Sequence, residues 1–247
     1  DKSFENSFDL LNQKFSEKIK PNLLVARLDY WNSNTNMGGA FSHVTGVIRA
    51  LSQHFNIFLC SVDNEVYKFE LDDINIKYVD LIRPNLGNDF KDILFSDDYF
   101  LDQLEQVINE NSIDIIYERM CLGNTSCAQI SRKKNIAYIA EYNGSEIDII
   151  NDSGLTVPFE NTFKNYEMFN FMNADIISVV SKQVKDQLLD LNIPSNKIII
   201  NPNGADPKKL SKFTEENFKS IRETLNISKN EFVIGYVGTF STWHNID

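Results

Sequence analysis

Short apolar runs alternate with longer stretches of helical pattern along most of the chain, and this alternation constrains the fold more than any other feature. The runs are continuous in Ile, Val and Leu. A strand of that composition is covered on both faces, whereas a half-exposed strand alternates polar and apolar residues. Buried strands separated by helices are typical of a doubly wound sheet. We therefore predict an α/β fold with a Rossmann-like, mainly parallel sheet.

The predicted elements follow one another without an internal repeat or a low-complexity tract. The predicted strands cover residues 22–29, 56–62, 74–81, 113–120, 136–143, 175–181 and 197–204. The predicted helices cover residues 40–54, 97–111, 124–134, 159–173 and 182–191.

Composition and charge exclude several classes of function. A chain of 247 residues with 42% hydrophobic residues can fill the core of one large domain or two small ones. Its formal net charge of -11 works against nucleic acid or anionic lipid as the main partner. No apolar run approaches the length of about 20 residues that spans a bilayer. We expect a cytoplasmic protein that binds no nucleic acid.

The cysteines indicate neither disulfides nor a metal site. Cys60, Cys121 and Cys127 cannot form an even disulfide framework. The chain has 3 histidines, and none of them is spaced from a cysteine pair as a metal ligand would be. We expect reduced thiols and no bound metal.

The first 20 residues differ from the rest of the chain. Apolar residues recur there at three- and four-residue spacing, at Phe4, Phe8, Leu11, Phe15 and Ile19. This spacing predicts an amphipathic helix that packs against the domain or a neighbouring subunit. The alternative is weak peripheral contact with the inner face of a membrane, although such helices are usually basic and this one is nearly balanced. The oligomeric state is left open.

A domain boundary is predicted near residue 229. The polar stretch there precedes one apolar run, 232–240, which predicts a strand with no further strands after it. We therefore predict a large domain over 21–229, and over 230–247 the start of a truncated second domain.

A glycine pair marks the start of the first helix of the predicted domain. Gly38 and Gly39 follow the first strand, where glycine allows close approach of a ligand and the helix N-terminus favours an anion such as phosphate. A tight turn without a ligand is the alternative. The G-x-G-x-x-G and P-loop patterns are absent, which disfavours NAD and ATP sites. His43 lies one turn further on, either as a buried core histidine or as a donor to the same ligand.

Polar clusters follow three other strands at the point where each apolar run ends. Because carboxyl ends of parallel strands meet at one edge of the sheet, we expect a shared polar, acidic pocket suited to hydroxyl groups. A salt bridge that merely ties two loops together is the alternative for the first cluster. The clusters are Glu118 and Arg119, then Glu141, Asn143 and Glu146, then Asn203 and Gly204.

Six motifs in order resemble one large family of enzymes. They are M-G-G-A-F-S-H, I-I-Y-E-R-M, A-E-Y-N-G-S-E, A-D-I-I-S-V-V-S-K, I-I-I-N-P-N-G-A-D and Y-V-G-T-F-S-T-W-H-N-I-D. Together they resemble the retaining GT-B-fold glycosyltransferases often called family 4. The resemblance covers nearly all of the chain from about residue 22.

The resemblance implies an enzyme that moves a sugar, with retention, from a UDP- or GDP-sugar donor to a glycan or glycolipid acceptor in polysaccharide biosynthesis. It implies no obligatory metal and no cofactor. Family members have two Rossmann-like domains that face each other across a cleft, and this chain would be mainly the acceptor-binding half. The chain alone is therefore expected to fold but to be nearly inactive.

The resemblance also implies roles for particular residues. Gly38 and Gly39 would lie against the donor, with His43 nearby, and Glu118 with Arg119 matches an E-R pair common in the family. Asn143 stands where many members have a histidine that contacts the donor sugar. The candidate catalytic residues are thus Asn143, Glu118 and Arg119. The candidate substrate- or donor-binding residues are Gly38, Gly39, His43, Glu141, Glu146, Asn203 and Gly204.

Two departures from the family pattern leave other functions open. No imidazole is available at Asn143, and Thr239 and His244 replace the basic pair of the family's G-R-L-x-x-x-K-G-x-D signature. The alternatives are a GT-B-fold epimerase acting on UDP-sugars and a non-catalytic sugar-binding or scaffold protein.

Overall fold

A computed structural model describes residues 20–29, 38–84, 89–204 and 214–236. The amphipathic helix predicted for the first 20 residues lies outside these ranges, apart from Lys20. By internal contacts the chain divides into two compact units, Asp1–Pro202 and Asn203–Asp247. The predicted domain organisation, with its boundary at residue 229, stays a prediction.

The first unit contains one sheet of seven strands, and every neighbouring pair is parallel. Its strands are β1 (Asn22–Arg27), β2 (Asn56–Ser61), β3 (Ile76–Asp80), β4 (Ile115–Arg119), β5 (Ala137–Tyr142), β6 (Ile176–Val179) and β7 (Ile198–Ile200). Their order in the sheet is β3-β2-β1-β4-β5-β6-β7. The predicted Rossmann-like α/β fold is therefore confirmed, and the seven strands predicted between residues 22 and 204 are all present in shortened form.

Helices connect the strands. They are α1 (Gly39–Leu51), α2 (Glu65–Lys68), α3 (Phe90–Asn111), α4 (Ser126–Lys134), α5 (Glu146–Asp152), α6 (Glu160–Asn173), α7 (Lys182–Asp190) and, in the second unit, α8 (Glu215–Thr224). The sequence pattern does not predict α2, α5 and α8.

The start of α3 differs from the prediction for a local reason. The helix begins at Phe90 rather than at residue 97, because Asp89 and Asp92 form a capping box. The Asp89 carboxylate accepts a hydrogen bond from the backbone N–H of Lys91 at 2.7 Å. The Asp92 carboxylate in turn accepts one from the backbone N–H of Asp89 at 3.1 Å. Capping of this kind satisfies amides that a helix leaves unpaired at its N-terminus.

The sheet buries both of its faces, as continuous apolar strands require. On one face, α1 and α2 cover a cluster that includes Val25, Ile48 and Tyr117. On the other, α3, α4, α6 and α7 cover a larger cluster that includes Ala26 and Tyr138. Since side chains alternate along a strand, neighbouring residues at a strand end reach different faces. That alternation decides which of the polar residues meet.

In the second unit, the prediction of a strand from residue 232 is wrong over 232–236. These residues form no strand, and Phe232 and Ile234 are 89% and 86% exposed. A strand needs the hydrogen bonds of a neighbouring strand, and among the described residues none pairs with this run. Residues 237–240 lie outside the described part of the chain.

Candidate functional site

The order of the strands places a topological switch point between β1 and β4, at the carboxyl edge where sheets of this kind form a crevice. Strands β2 and β3 lie on one side of β1, and β4 to β7 lie on the other, so the chain reverses its direction of winding at this point. Open α/β sheets bind ligands outside the carboxyl ends of the strands at such a switch point. Arg27 ends β1 and Arg119 ends β4, so both arginines stand at this edge.

A buried carboxylate organises the polar residues at this edge. Glu141 on β5 is only 2% exposed. Its Oε1 forms an ion pair with Arg119 and accepts a hydrogen bond from Asn143 Nδ2 at 2.7 Å. The same oxygen lies 3.1 Å from His43 Nε2. Its Oε2 accepts the hydroxyl of Tyr117. Both oxygens are thus occupied by groups from α1, β4 and the loop after β5.

These contacts fix the charge of Glu141. Burial alone would raise its pKa, but the contact with His43, the charge of Arg119 and the bonds from Tyr117 and Asn143 lower it to about 2. The carboxylate is therefore ionised at neutral pH. Because it is buried and engaged on both oxygens, it holds His43, Arg119 and Asn143 in place.

The glycine pair lies at the start of α1, one turn before His43. Gly38 is the N-cap with φ of 101°, in the region that favours glycine, and no side chain caps the helix. No acidic residue lies in the first turn. A β-carbon built at Gly39 would meet no atom within 4 Å among the described residues. No described residue thus covers Gly39 at the first turn of α1, and the side chain of His43, one turn further on, is 9% exposed.

A glycine turn brings the second acidic residue of the β5 cluster toward the crevice. Gly144, with φ of 112°, separates Asn143 from Ser145, whose hydroxyl caps α5. Glu146 then opens α5 and accepts the Leu122 N–H at 2.8 Å. Burial and the charge of Asp29 raise the pKa of Glu146 to about 7, against the opposing effect of the Leu122 amide and of Arg27 and Arg119. The Glu146 carboxyl group is therefore partly ionised near neutral pH.

Glu118 is not in this cluster. It neighbours Arg119 on β4, so its side chain points to the opposite face of the sheet, where it is fully buried and accepts the hydroxyl of Tyr138. The expectation that Glu118 and Arg119 reach one pocket is therefore corrected, and no salt bridge joins them among the described residues. Burial raises the pKa of Glu118 to about 8.

Arg27 is a residue of this edge that the sequence analysis missed. It forms an ion pair with Asp29, and its charge acts on Glu146 and Tyr67. The signal was present in the sequence as a basic residue that closes the first continuous apolar run. It is the same kind of signal that singled out Arg119.

The last two predicted site residues, Asn203 and Gly204, are exposed and belong to the second unit. A separate cleft of about 590 Å³ lies between α3, α4 and α6 and is lined by none of the predicted site residues. Among the described residues, no group of three or more His, Cys, Asp or Glu side chains could hold a metal ion. None of the described helices has the length and apolar character to cross a membrane.

The fold and this edge define a Rossmann-like protein with a polar cluster at the switch point of its sheet. The family model described as Glycosyltransferase Family 4 matches residues 37–209, which is more than half of the chain. The chain belongs to this family. No curated protein sequence matches it.

Solved structures of several enzymes share the fold. A glycosyltransferase from Rickettsia africae ESF-5 has 18% identity and a TM-score of 0.58, over 85% of this chain and 51% of that one. Sucrose-phosphate synthase from Thermosynechococcus elongatus has 15% identity and a TM-score of 0.58, over 86% of this chain and 54% of that one. UDP-GlcNAc 2-epimerase from Neisseria meningitidis, bound to UDP-GlcNAc, has 15% identity and a TM-score of 0.55, over 85% of this chain and 55% of that one. The chain spans about half the length of each.

Proposed function

We propose that the complete protein transfers a sugar from a UDP- or GDP-sugar donor to a glycan or glycolipid acceptor, with retention and without a metal or other cofactor. This chain would supply mainly the acceptor-binding half. The observation that carries the proposal is the family match over 37–209, because it includes the glycine pair of α1 and the cluster around Glu141.

The residues of the crevice suit this reaction. As the donor C1–O bond to the diphosphate breaks, positive charge develops on the sugar and negative charge on the leaving oxygen, so catalysis depends on positioning and electrostatic stabilisation. The open first turn of α1 would face the phosphate side. Arg119, His43 and Asn143, held by Glu141, would orient substrate oxygens. The acceptor hydroxyl forms the new bond to C1, and its proton passes to the leaving phosphate oxygen.

The assay of this proposal uses the complete protein with UDP- and GDP-sugars, with and without candidate glycan and glycolipid acceptors. We expect nucleotide release that depends on the acceptor, and a product whose anomeric configuration by NMR equals that of the donor.

Two results would contradict the proposal. Epimerised or hydrolysed sugar formed without an acceptor would indicate the epimerase class, whose fold this chain shares. No release from any donor by a folded protein would favour a sugar-binding or scaffold role.

A further inference from the structure

Arg27 carries a hydrogen-bond donor that nothing described in the chain satisfies. Its side chain is 12% exposed, and its Nε faces the carboxylate of Asp29. Its Nη1 is buried and has no hydrogen-bond partner among the described residues. A buried N–H without a partner is unfavourable, so an oxygen supplied from outside would be bound there at a gain.

The position of Arg27 matches the place where the fold binds ligands. The register pairs Val25 with Tyr117 and Ala26 with Glu118, so Arg27 and Arg119 are the next residues along two neighbouring strands. Both side chains reach the α1 face, where their charges act on Tyr67. Two guanidinium groups thus flank the switch point at the carboxyl ends of β1 and β4.

The charges around the two arginines balance when Glu146 is protonated, so an anion then meets no net repulsion there. Asp29 pairs with Arg27, and Glu141 pairs with Arg119. The third carboxyl group, Glu146, is partly protonated near pH 7 because burial and Asp29 raise its pKa. A guanidinium group with an unpaired N–H edge matches the oxygens of a phosphate or carboxylate.

We propose that Arg27, with Arg119 beside it, forms a subsite at the switch point that binds an oxyanion of the substrate, a phosphate or a carboxylate group. The identity of that substrate rests on the proposed function. The binding itself does not, because the subsite can be tested with a simple inorganic anion.

The test measures the melting temperature of the protein against sulfate concentration. Sulfate is a tetrahedral dianion that does not titrate between pH 6 and 8. We expect a saturable rise in Tm for the unmodified protein, and at least ~10-fold weaker sulfate binding for both Arg27→Gln and Arg27→Lys. The conservative lysine variant keeps a charge for Asp29 but loses the Nη1 geometry.

A matched control separates specific binding from the general effect of sulfate on stability. Arg49 forms a pair with Asp73 at the surface, far along α1 from the glycines. Arg49→Gln should bind sulfate as the unmodified protein does. An equal, unsaturable rise in Tm for all four proteins would overturn the subsite.

The charge of Glu146 provides a second readout. The groups that act on it are Asp29 from the segment after β1, Arg27 on β1, Arg119 on β4 and the Leu122 amide, and Glu167 on α6 lies close enough to be affected in turn. Sulfate should bind more tightly at pH 6 than at pH 8, because protonation removes one negative charge. Glu146→Gln should abolish most of this difference. An undiminished difference in that variant would contradict the proposed charge balance.

Kinetics of the complete protein distinguish the two sources of the oxyanion. Arg27→Lys should raise the KM for the acceptor if the group belongs to the acceptor, and the KM for the donor if it belongs to the nucleotide diphosphate. An unchanged KM for both would overturn the substrate assignment. Sulfate binding that depends on Arg27 in a protein without transferase activity would leave the subsite intact and count against the proposed function alone.

Discussion

At the residue scale, two acidic residues on neighbouring strands, Glu118 on β4 and Glu141 on β5, lie in opposite electrostatic environments. Glu141 meets a cation and several donors, which keep it ionised. Glu118 is fully buried, and burial outweighs its bonds with the Tyr138 hydroxyl and the Cys127 thiol, so its pKa rises from an ordinary 4.5 to about 8. Both carboxyl groups were expected at one pocket, because both end apolar runs. The difference between them comes from which face of the strand each occupies.

Glu118 should make the protein less stable at alkaline pH. The folded state holds its proton up to about pH 8, whereas the unfolded state releases it near 4.5. Stability from this group is therefore complete below about pH 4.5 and is lost as pH rises to about 8. Glu118→Gln should raise Tm by at least ~5 °C at pH 9 and change it little at pH 5.

Thermal unfolding of the two proteins across this pH range checks the prediction. Glu105→Gln is the control, because Glu105 is a surface partner of Lys133 and Lys134. A Tm difference between Glu118→Gln and the unmodified protein that does not change with pH would show that Glu118 does not titrate as described.

The effects of replacing Glu141 and Arg119 on the free energy of unfolding should be strongly coupled. Glu141→Gln leaves Arg119 without its anion in a largely buried place, at a cost of about 2–4 kcal/mol in the free energy of unfolding. Arg119→Met removes the cation and leaves the anion. The double variant should lose less than the sum of the single losses by at least ~1 kcal/mol, because neither group is then left unpaired. Urea unfolding at pH 7 gives the free energy of unfolding of the unmodified protein, the two single variants and the double variant. Additive losses would contradict a direct interaction between the two side chains.

At the element scale, the seven strands of the sheet could be predicted because each is a continuous apolar run within an alternation of strands and helices. The short helices α2 and α5 could not, since a helix of four or seven residues leaves no clear period in the sequence. The early start of α3 depends on the capping box of Asp89 and Asp92. These hydrogen bonds form only in the folded backbone, so the acidic residues alone do not identify the start of the helix. Likewise, the run at 232–236 has the composition of a strand but lacks a neighbouring strand, and composition alone cannot supply one.

The start of α4 depends on a side chain from another helix. Asp97 on α3 is buried and accepts the N–H groups of Thr125 at 2.8 Å and Ser126 at 2.9 Å, together with both hydroxyls. Asp97→Ala would leave these donors unpaired, at a cost of about 3 kcal/mol or more. Asp98→Ala, at an exposed position next to it, should cost less than ~0.5 kcal/mol. Equal losses in urea unfolding would show that Asp97 is not the cap of α4.

At the scale of the whole molecule, the winding of the sheet explains why the site could be only half predicted. The sequence places polar residues at strand ends, and the carboxyl edge then follows from a parallel sheet. Which strands flank the crevice follows from the strand order, and this order brings Arg27 beside Arg119 although they are distant in sequence. Register and packing decide that Glu118 lies on the opposite face of the sheet and that both oxygens of Glu141 are occupied. A single sequence does not reveal either.

The central claim is that the substrate binds at this carboxyl edge, against the first turn of α1. Its most direct test compares Gly39→Val with Gly46→Val in the complete protein. Both glycines lie on α1, both are exposed, and a β-carbon at either meets no described atom within 4 Å. We predict that both variants keep the Tm of the unmodified protein and that only Gly39→Val loses sugar transfer, by at least ~100-fold, as close approach to a ligand requires. Full transfer by Gly39→Val would contradict the placement of the substrate at this edge.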